Sequence, residues 1–224
     1  MLLSSEDYRF PPPEQSDSQG LLAIGGDLSP ERILAAYRQG IFPWFEPGGP
    51  ILWWSPQPRL ILKPERFKLA RSLKQALKKN HSLTIDQAFA AVIRACAQAE
   101  GRINHTWISD EMCEAYTKLH QMGYAHSFEI WSENKLVGGL YGLSLGRAFF
   151  GESMFHYQRD ASKMAMYYLC QTLVSWQFDF IDCQLPTTHL ASLGAEVIAR
   201  REFLKLLEKT LEHPTRQGFW ELTK

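Results

Sequence analysis

Asp182 and Gln184 are polar side chains spaced so that they can share one site. They lie two residues apart in a segment predicted as a short strand, so both should project from one face, with Cys183 on the other. A carboxylate can accept positive charge, and an amide can hydrogen-bond without acting as a base. The alternative interpretation is that both residues cap the loop that follows the strand.

Glu152 is a second acidic candidate, flanked by Gly151 and Ser153 on another predicted strand. Its carboxylate could bind an ammonium or guanidinium group. The alternative is an ordinary carboxylate on a solvated surface.

A basic segment lies between residues 63 and 79, where Glu65 is the one opposing charge. Its basic residues are Lys63, Arg66, Lys68, Arg71, Lys74, Lys78 and Lys79. The whole chain balances 24 Lys and Arg against 24 Asp and Glu, so no global field would attract nucleic acid. A local patch could hold phosphates, with an affinity that falls as salt rises. A solvated helix face is the alternative.

Other familiar catalytic patterns are missing from the sequence. The four cysteines, Cys96, Cys113, Cys170 and Cys183, lack the two-residue spacing of zinc or redox motifs, and we expect reduced core thiols. There is no nucleophile elbow, no His/Cys/Asp triad and no metal-ligand spacing. We therefore expect no metal site.

Composition indicates a packed globular protein. Hydrophobic residues make up 45% and charged residues 21% of the 224 positions. Glu6 and Asp7 occupy the place where a secretory signal needs basic residues, and no apolar run has membrane length. We expect a cytoplasmic protein without a membrane partner.

Residues 9 to 60 are rich in proline, glycine and aromatic side chains, which predicts a compact, turn-rich unit. Its clearest helix has Ser29 as N-cap, Pro30 at the first position, Tyr37 on the apolar face and Gly40 as terminator.

The rest of the chain alternates between two periodicities, which gives the following predicted elements. Helices are expected at 65–80, 86–99, 109–123, 162–177 and 200–211, and strands at 125–132, 135–143, 147–155 and 178–184.

This order predicts an α+β fold compatible with the GNAT (acyl-CoA N-acyltransferase-like) architecture. We expect a small N-terminal α+β domain over residues 1–62 and a GNAT-like domain over 63–224. Acyl-CoA phosphates would need a glycine-rich loop before the helix at 162, and residues 158–163 contain no glycine. We therefore expect no coenzyme A and no other cofactor.

Four segments together resemble the leucyl/phenylalanyl-tRNA-protein transferases over roughly residues 9 to 205. They are Gly20 to Leu28 with the runs from Gly40 and Trp53; Thr106-Trp107-Ile108; Gly151 to Phe155 with Ala161-Ser162-Lys163; and Asp182-Cys183-Gln184 with His189 to Ala195. The resemblance implies a GNAT-like catalytic domain and an aminoacyltransferase. Leucine or phenylalanine, sometimes methionine, would move from aminoacyl-tRNA to an N-terminal Arg or Lys and mark the protein for N-degron (N-end rule) degradation.

The resemblance also implies roles for individual residues. It places Asp182 and Gln184 at the reacting centre, where we expect Asp182 to orient the amine, and it places Trp44 and Trp107 near the terminal adenosine. Glu152 is our candidate for binding the cation or the α-ammonium group of the incoming Arg or Lys. A transferred apolar side chain needs a dry pocket, for which the candidates are Leu140, Phe149, Leu169, Leu173 and Ile181. The candidates for tRNA phosphates are Arg71, Lys74, Lys78 and Lys79. We expect a monomer.

The sequence departs from the family pattern before Trp107. His105 stands where a small residue is expected, and residues 98 to 104 match poorly, so the geometry of this loop is open. Two other functions also remain open: a non-catalytic RNA-binding module, and an acyl-CoA or cell-wall peptide transferase of the same architecture.

Overall fold

A four-stranded sheet is built from the N-terminal part of the chain, in a computed structural model that describes residues 1–4, 7–99 and 106–221. Its strands are β1 (Leu2–Leu3), β2 (Leu21–Gly25), β3 (Phe42–Pro43) and β4 (Leu52–Trp54), in the order β1-β2-β4-β3. Helix α1 (Pro30–Tyr37) connects β2 to β3 and begins at its predicted proline. Ser29 occupies the N-cap position, but its side chain makes no capping hydrogen bond.

A larger sheet of seven strands follows. Its members are β5 (Arg59–Leu62), β6 (Ser82–Ile85), β7 (Ala125–Ser132), β8 (Lys135–Leu145), β9 (Ala148–His156), β10 (Phe180–Gln184) and β11 (Glu196–Ile198). Across the sheet the order is β11-β5-β10-β9-β8-β7-β6. The antiparallel meander β7-β8-β9 confirms the predicted strands, because the two-residue turns between them return each strand beside the one before it.

Helices cover both faces of this sheet. They are α2 (Arg71–Ala76), α3 (Phe89–Ala97), α4 (Asp110–Gln121), α5 (Ala161–Ser175), α6 (Thr188–Ser192) and α7 (Arg200–Leu211). Helices α2 and α5 bury their apolar residues in one cluster, whereas α3, α4 and α7 share a second cluster with the N-terminal sheet. Among the described residues, no helix is long and apolar enough to cross a membrane.

The order of elements around α5 confirms the predicted α+β, GNAT-like fold. Strand β9 ends the meander, α5 crosses one face of the sheet, and β10 returns parallel to β9. A parallel pair needs such a crossover, because its second strand must start again at the same end.

The predicted helix over residues 65–80 forms only in its central part. A short 3-10 helix at Pro64–Arg66 is followed by extended chain, and α2 is only six residues long. The backbone N–H of Lys68 donates to Leu193 O, so a tertiary contact holds this segment out of the helix. Strands β6 and β11 and helix α6 were not predicted.

Strand β5 lies across the predicted domain boundary at residue 62. It pairs with β10 and β11 in the large sheet. Trp53 of the small sheet and Phe89 of α3 also belong to one buried cluster. The division into two domains stays a prediction.

Candidate active site

Two parallel strands separate and leave a cavity between them. Strands β9 and β10 pair at Ala148–Phe180, Phe149–Ile181 and Phe150–Asp182, and among the described residues this pairing goes no further. A cavity of about 470 Å³ opens beyond it, lined by residues 151–154 of β9 and by Cys183 and Gln184 of β10. The divergence of the two strands beyond Phe150 and Asp182 therefore creates the site.

A β-bulge aims Glu152 into this cavity. Tyr141 of β8 pairs with Ser153 and Gly142 pairs with Gly151, so Glu152 is the extra residue of β9. Bulges commonly re-aim a side chain next to a functional site.

The Glu152 carboxylate accepts two phenol hydrogen bonds. Tyr37 Oη donates to Oε1 at 2.6 Å, and Tyr116 Oη donates to Oε2 at 3.0 Å. Desolvation raises the pKa of Glu152 to about 7, while the two phenols act in the opposite direction. The carboxyl group therefore changes charge near neutral pH.

Asp182 forms a buried ion pair with Arg59, and both side chains are 0% exposed. Arg59 Nε lies 2.8 Å from Oδ1 and an Arg59 terminal nitrogen lies 2.6 Å from Oδ2, which is the bidentate geometry of a strong pair. The same guanidinium donates to Gly40 O and stacks over Phe203. These contacts fix Asp182 behind the cavity wall.

The expectation that Asp182 and Gln184 project from one face is wrong. A second bulge makes Cys183 the extra residue of β10 against β5, and Gln184 has a φ of 55°. Gln184 and Cys183 line the cavity, whereas Asp182 does not. The two predicted residues are instead linked through the backbone, because the Gln184 N–H donates to Asp182 Oδ1 at 3.0 Å.

Most predicted substrate-binding residues lie around the cavity. Those that line it are Trp44, Trp107, Leu140, Phe149, Leu169 and Ile181. Leu173 is completely buried in the core one turn further along α5 and does not line it. Trp44 is 41% exposed at the rim. His105 and residues 100–104 lie outside the described residues.

Several lining residues were missed by sequence reasoning. Met154, Met166 and His189 are among them, and Tyr141 lines the cavity beside Glu152. Tyr37 was predicted only as an apolar-face residue of α1. Tyr37 shares one helix face with Ile33 and Leu34, which indicates a core position, and nothing local in the sequence links its hydroxyl to Glu152.

The four predicted tRNA-binding residues are exposed on and after α2. Arg71 and Lys74 belong to the helix, and Lys78 and Lys79 follow its end. Across the described ranges, none of the four forms an ion pair, whereas Lys63 and Arg66 pair with Glu196. Their charges therefore face solvent as a small basic patch.

The cavity combines an apolar wall with a polar end. Aliphatic and aromatic side chains from β8, β9, α5 and β10 form the wall, and Glu152 and Gln184 mark the polar end. Such a site can exclude water from an apolar group while it orients polar atoms beside it. Within the described part of the chain, no cluster of three His, Cys, Asp or Glu side chains could hold a metal ion.

Comparison with known proteins finds one family along the chain. The model described as leucyl/phenylalanyl-tRNA protein transferase matches residues 61–208, and that of its N-terminal domain matches residues 26–57. A leucyl/phenylalanyl-tRNA–protein transferase of Legionella pneumophila (strain Corby) is 63% identical over 216 residues, 96% of this chain and 97% of the relative. One from Desulfatibacillum aliphaticivorans is 54% identical over 222 residues, 97% of this chain and 94% of the relative.

Solved structures show a weaker likeness. An aminoglycoside acetyltransferase from an uncultured soil metagenomic sample is 18% identical, with a TM-score of 0.39, 64% of this chain and 97% of that chain covered. The structure of L-PGS from Bacillus licheniformis is 10% identical, with a TM-score of 0.41, 75% of this chain and 54% of that chain covered.

Proposed function

Because the chain belongs to the leucyl/phenylalanyl-tRNA–protein transferase family, it is an aminoacyltransferase that uses tRNA and protein substrates, and we propose that it attaches Leu or Phe to N-terminal Arg or Lys. Methionine is a further donor. The products are marked for N-degron degradation, and the enzyme works as a monomer in the cytoplasm.

The observation that carries this proposal is one cavity with an apolar wall and a carboxyl group at its polar end. Leu140, Phe149, Leu169 and Ile181 supply surface for a leucyl or phenylalanyl side chain. A polar aminoacyl group would lose its hydration in this wall without gaining partners.

Trp44 and Trp107 are suited to the terminal adenosine of the tRNA. Both border the cavity, and Trp44 keeps an exposed ring at its rim. Stacking of a base on an aromatic face contributes about 1–3 kcal/mol. The basic patch of Arg71, Lys74, Lys78 and Lys79 would hold phosphates of the same tRNA.

The reaction is aminolysis of an ester that is already activated. A free α-amino group has a pKa of about 8, so a useful neutral fraction exists without a strong base. Holding amine and ester together is then the main task of the protein. Gln184 would hydrogen-bond the ester or amine, and Glu152 would receive the cation of the acceptor. Asp182 would position Gln184 through its backbone N–H.

The proposal is tested with radiolabelled Leu-tRNA and peptides that begin with Arg, Lys or Ala. We expect label on the Arg and Lys peptides and none on the Ala peptide. An Arg peptide with an acetylated N-terminus is the matched control, because it keeps the side chain and removes the nucleophile. Label on the Ala or acetylated peptide, or on none of them, would reject the proposed acceptor specificity.

A further inference from the structure

Three side chains form a closed hydrogen-bond ring in the cavity wall. The phenol oxygens of Tyr37 and Tyr116 are 2.7 Å apart, and each lies within 3.0 Å of one Glu152 carboxylate oxygen. All of these distances fall within the range of O–H···O hydrogen bonds. Helices α1 and α4 and the bulge of β9 each contribute one member.

The number of protons in this ring depends on the state of Glu152. If Glu152 is ionised, the ring has three oxygen–oxygen contacts but only the two phenol hydrogens. One pair of oxygens is then in contact without a hydrogen between them. If Glu152 carries a proton, each contact has one donor and one acceptor. Tyr37 and Tyr116 are 0% exposed, which keeps bulk water from supplying a further donor to their hydroxyl groups.

The other groups around Glu152 leave this proton in place. Asp182 of β10 and Arg59 of β5 act on its pKa in opposite directions, and they neutralise each other in their ion pair. Tyr141 of β8 is buried nearby, and among the described residues its hydroxyl has no hydrogen-bond partner. Desolvation raises the pKa of Glu152 to about 7, which agrees with a neutral carboxyl group below that pH.

We propose that Tyr37 and Tyr116 are positioning residues that close a three-proton ring with Glu152, so that the resting cavity presents a carboxylic acid and converts it to a carboxylate when a cationic amine enters. The conversion step rests on the proposed acceptor. The ring itself belongs to the free enzyme.

The proton balance of this step is simple. The O–H bond of Glu152 breaks and its proton passes to solvent water, while the carboxylate forms an ion pair with the incoming ammonium or guanidinium group. Both phenol protons then turn toward the carboxylate. No electrons are transferred and no other reactant is needed.

The ring is tested in the free enzyme by carboxyl 13C NMR with glutamate labelled at Cδ. Glu152→Gln identifies the signal by removing it, and the wild-type signal should titrate near pH 7. Taken singly, each phenol favours the carboxylate. In the closed ring, however, the ionised form leaves the two phenol oxygens in contact without a hydrogen between them, and we expect this second effect to dominate. Tyr37→Phe should therefore lower the pKa of Glu152 by roughly one pH unit, the size of one hydrogen bond. Without the Tyr37 hydroxyl, only the contact between Tyr116 and Glu152 remains. The Tyr116 hydroxyl proton makes that hydrogen bond, so no proton on Glu152 is needed.

Two independent hydrogen-bond donors would give the opposite result. Each donor would stabilise the ionised form, so loss of either phenol would raise the pKa of Glu152. Tyr116→Phe repeats the test should Tyr37→Phe fail to fold. Tyr141→Phe is the matched control, which should leave the pKa unchanged because that hydroxyl lies outside the ring. A raised or unchanged pKa in the ring variants, or a wild-type Glu152 that stays ionised at pH 5, would overturn the proposal.

The function of the ring is tested separately by calorimetry. An Arg-initiated peptide added to wild type at pH 6 should release about one proton into buffer, and Glu152→Gln should release none. Titration of the free enzyme uses no acceptor, so failure of the ring and failure of the proposed acceptor give different results. A normal ring titration without proton release would overturn the conversion step alone.

Discussion

At the scale of single residues, the ion pair of Asp182 with Arg59 positions the polar end of the cavity. Both side chains are 0% exposed, and their charges are satisfied by each other and by backbone groups. A buried pair of this kind adds little net stability, but the loss of one partner leaves an unpaired buried charge. Asp182 is held by Arg59 in the core and accepts the Gln184 N–H, so it fixes the backbone position of Gln184.

We expect Asp182→Ala to destabilise the protein by about 3–5 kcal/mol, the cost of an unpaired buried charge. The double variant Arg59→Met/Asp182→Leu should recover most of this loss, because neither charge remains. Urea unfolding of wild type and the two variants measures the difference. If Asp182→Ala were as stable as wild type, water would have to reach Arg59, and the ion pair would not be what fixes β10 in place.

Glu152 should make stability depend on pH. Burial raises its pKa from 4.5 to about 7, so the folded state binds the proton more tightly than the unfolded state. The group therefore contributes its full stability below about pH 4.5, and that contribution is lost as pH rises through 7.

Glu152→Gln should consequently gain stability relative to wild type by about 2–3 kcal/mol between pH 5 and pH 8. Denaturant unfolding of both proteins at both pH values measures this change. Glu129→Gln is a useful comparison, because Glu129 is another buried acid but lies away from the cavity. An equal wild-type to Glu152→Gln difference at pH 5 and pH 8 would contradict the raised pKa of Glu152.

At the scale of elements, the meander and the long helices follow from periodicity, but the two bulges do not. Alternating apolar residues predict β7 to β9, and the apolar stripe of α4 follows Ser109, whose side chain accepts the Met112 N–H as a cap. One extra residue in a strand leaves no mark in composition, yet it turned Gln184 away from Asp182 and aimed Glu152 at two tyrosines. Long-range pairing decides these details.

The basic patch belongs to α2 and the turn after it. Because α2 is much shorter than predicted, its charges form a cluster at one end of an extended segment rather than a continuous helical stripe. Across the described ranges, no acidic side chain forms an ion pair with this cluster, so its positive charge is not neutralised.

We expect Arg71→Glu/Lys74→Glu to raise KM for charged tRNA by at least about tenfold with little change in kcat, since phosphate contacts provide salt-dependent affinity. The salt dependence of KM should become shallower in the same variant. Lys63→Glu/Arg66→Glu is a control with the same charge change at residues already paired with Glu196. An equal effect of both double variants would indicate a general electrostatic field instead of a local patch.

At the scale of the whole molecule, the cavity exists because three parts of the chain meet at the separated strands. The N-terminal unit contributes Trp44 and Tyr37, α5 contributes Leu169, and β9 and β10 contribute the polar end. The sequence predicted eight of these lining residues from resemblance and apolar pattern, namely Trp44, Trp107, Leu140, Phe149, Glu152, Leu169, Ile181 and Gln184. Leu173 shows the limit of that reasoning, because one helical turn separates a cavity wall from a core.

The central claim is that this cavity holds the transferred amino acid, and the rate of phenylalanine transfer by Leu169→Phe tests it most directly. The larger side chain should occupy part of the cavity and reduce kcat/KM for Phe-tRNA by at least about tenfold, with a smaller effect on Leu-tRNA and none on the binding of uncharged tRNA. Leu173→Phe, at an equally buried position on the same helix, should lose stability but transfer phenylalanine normally per folded molecule. Unchanged transfer by Leu169→Phe, or equal losses at both positions, would contradict the account.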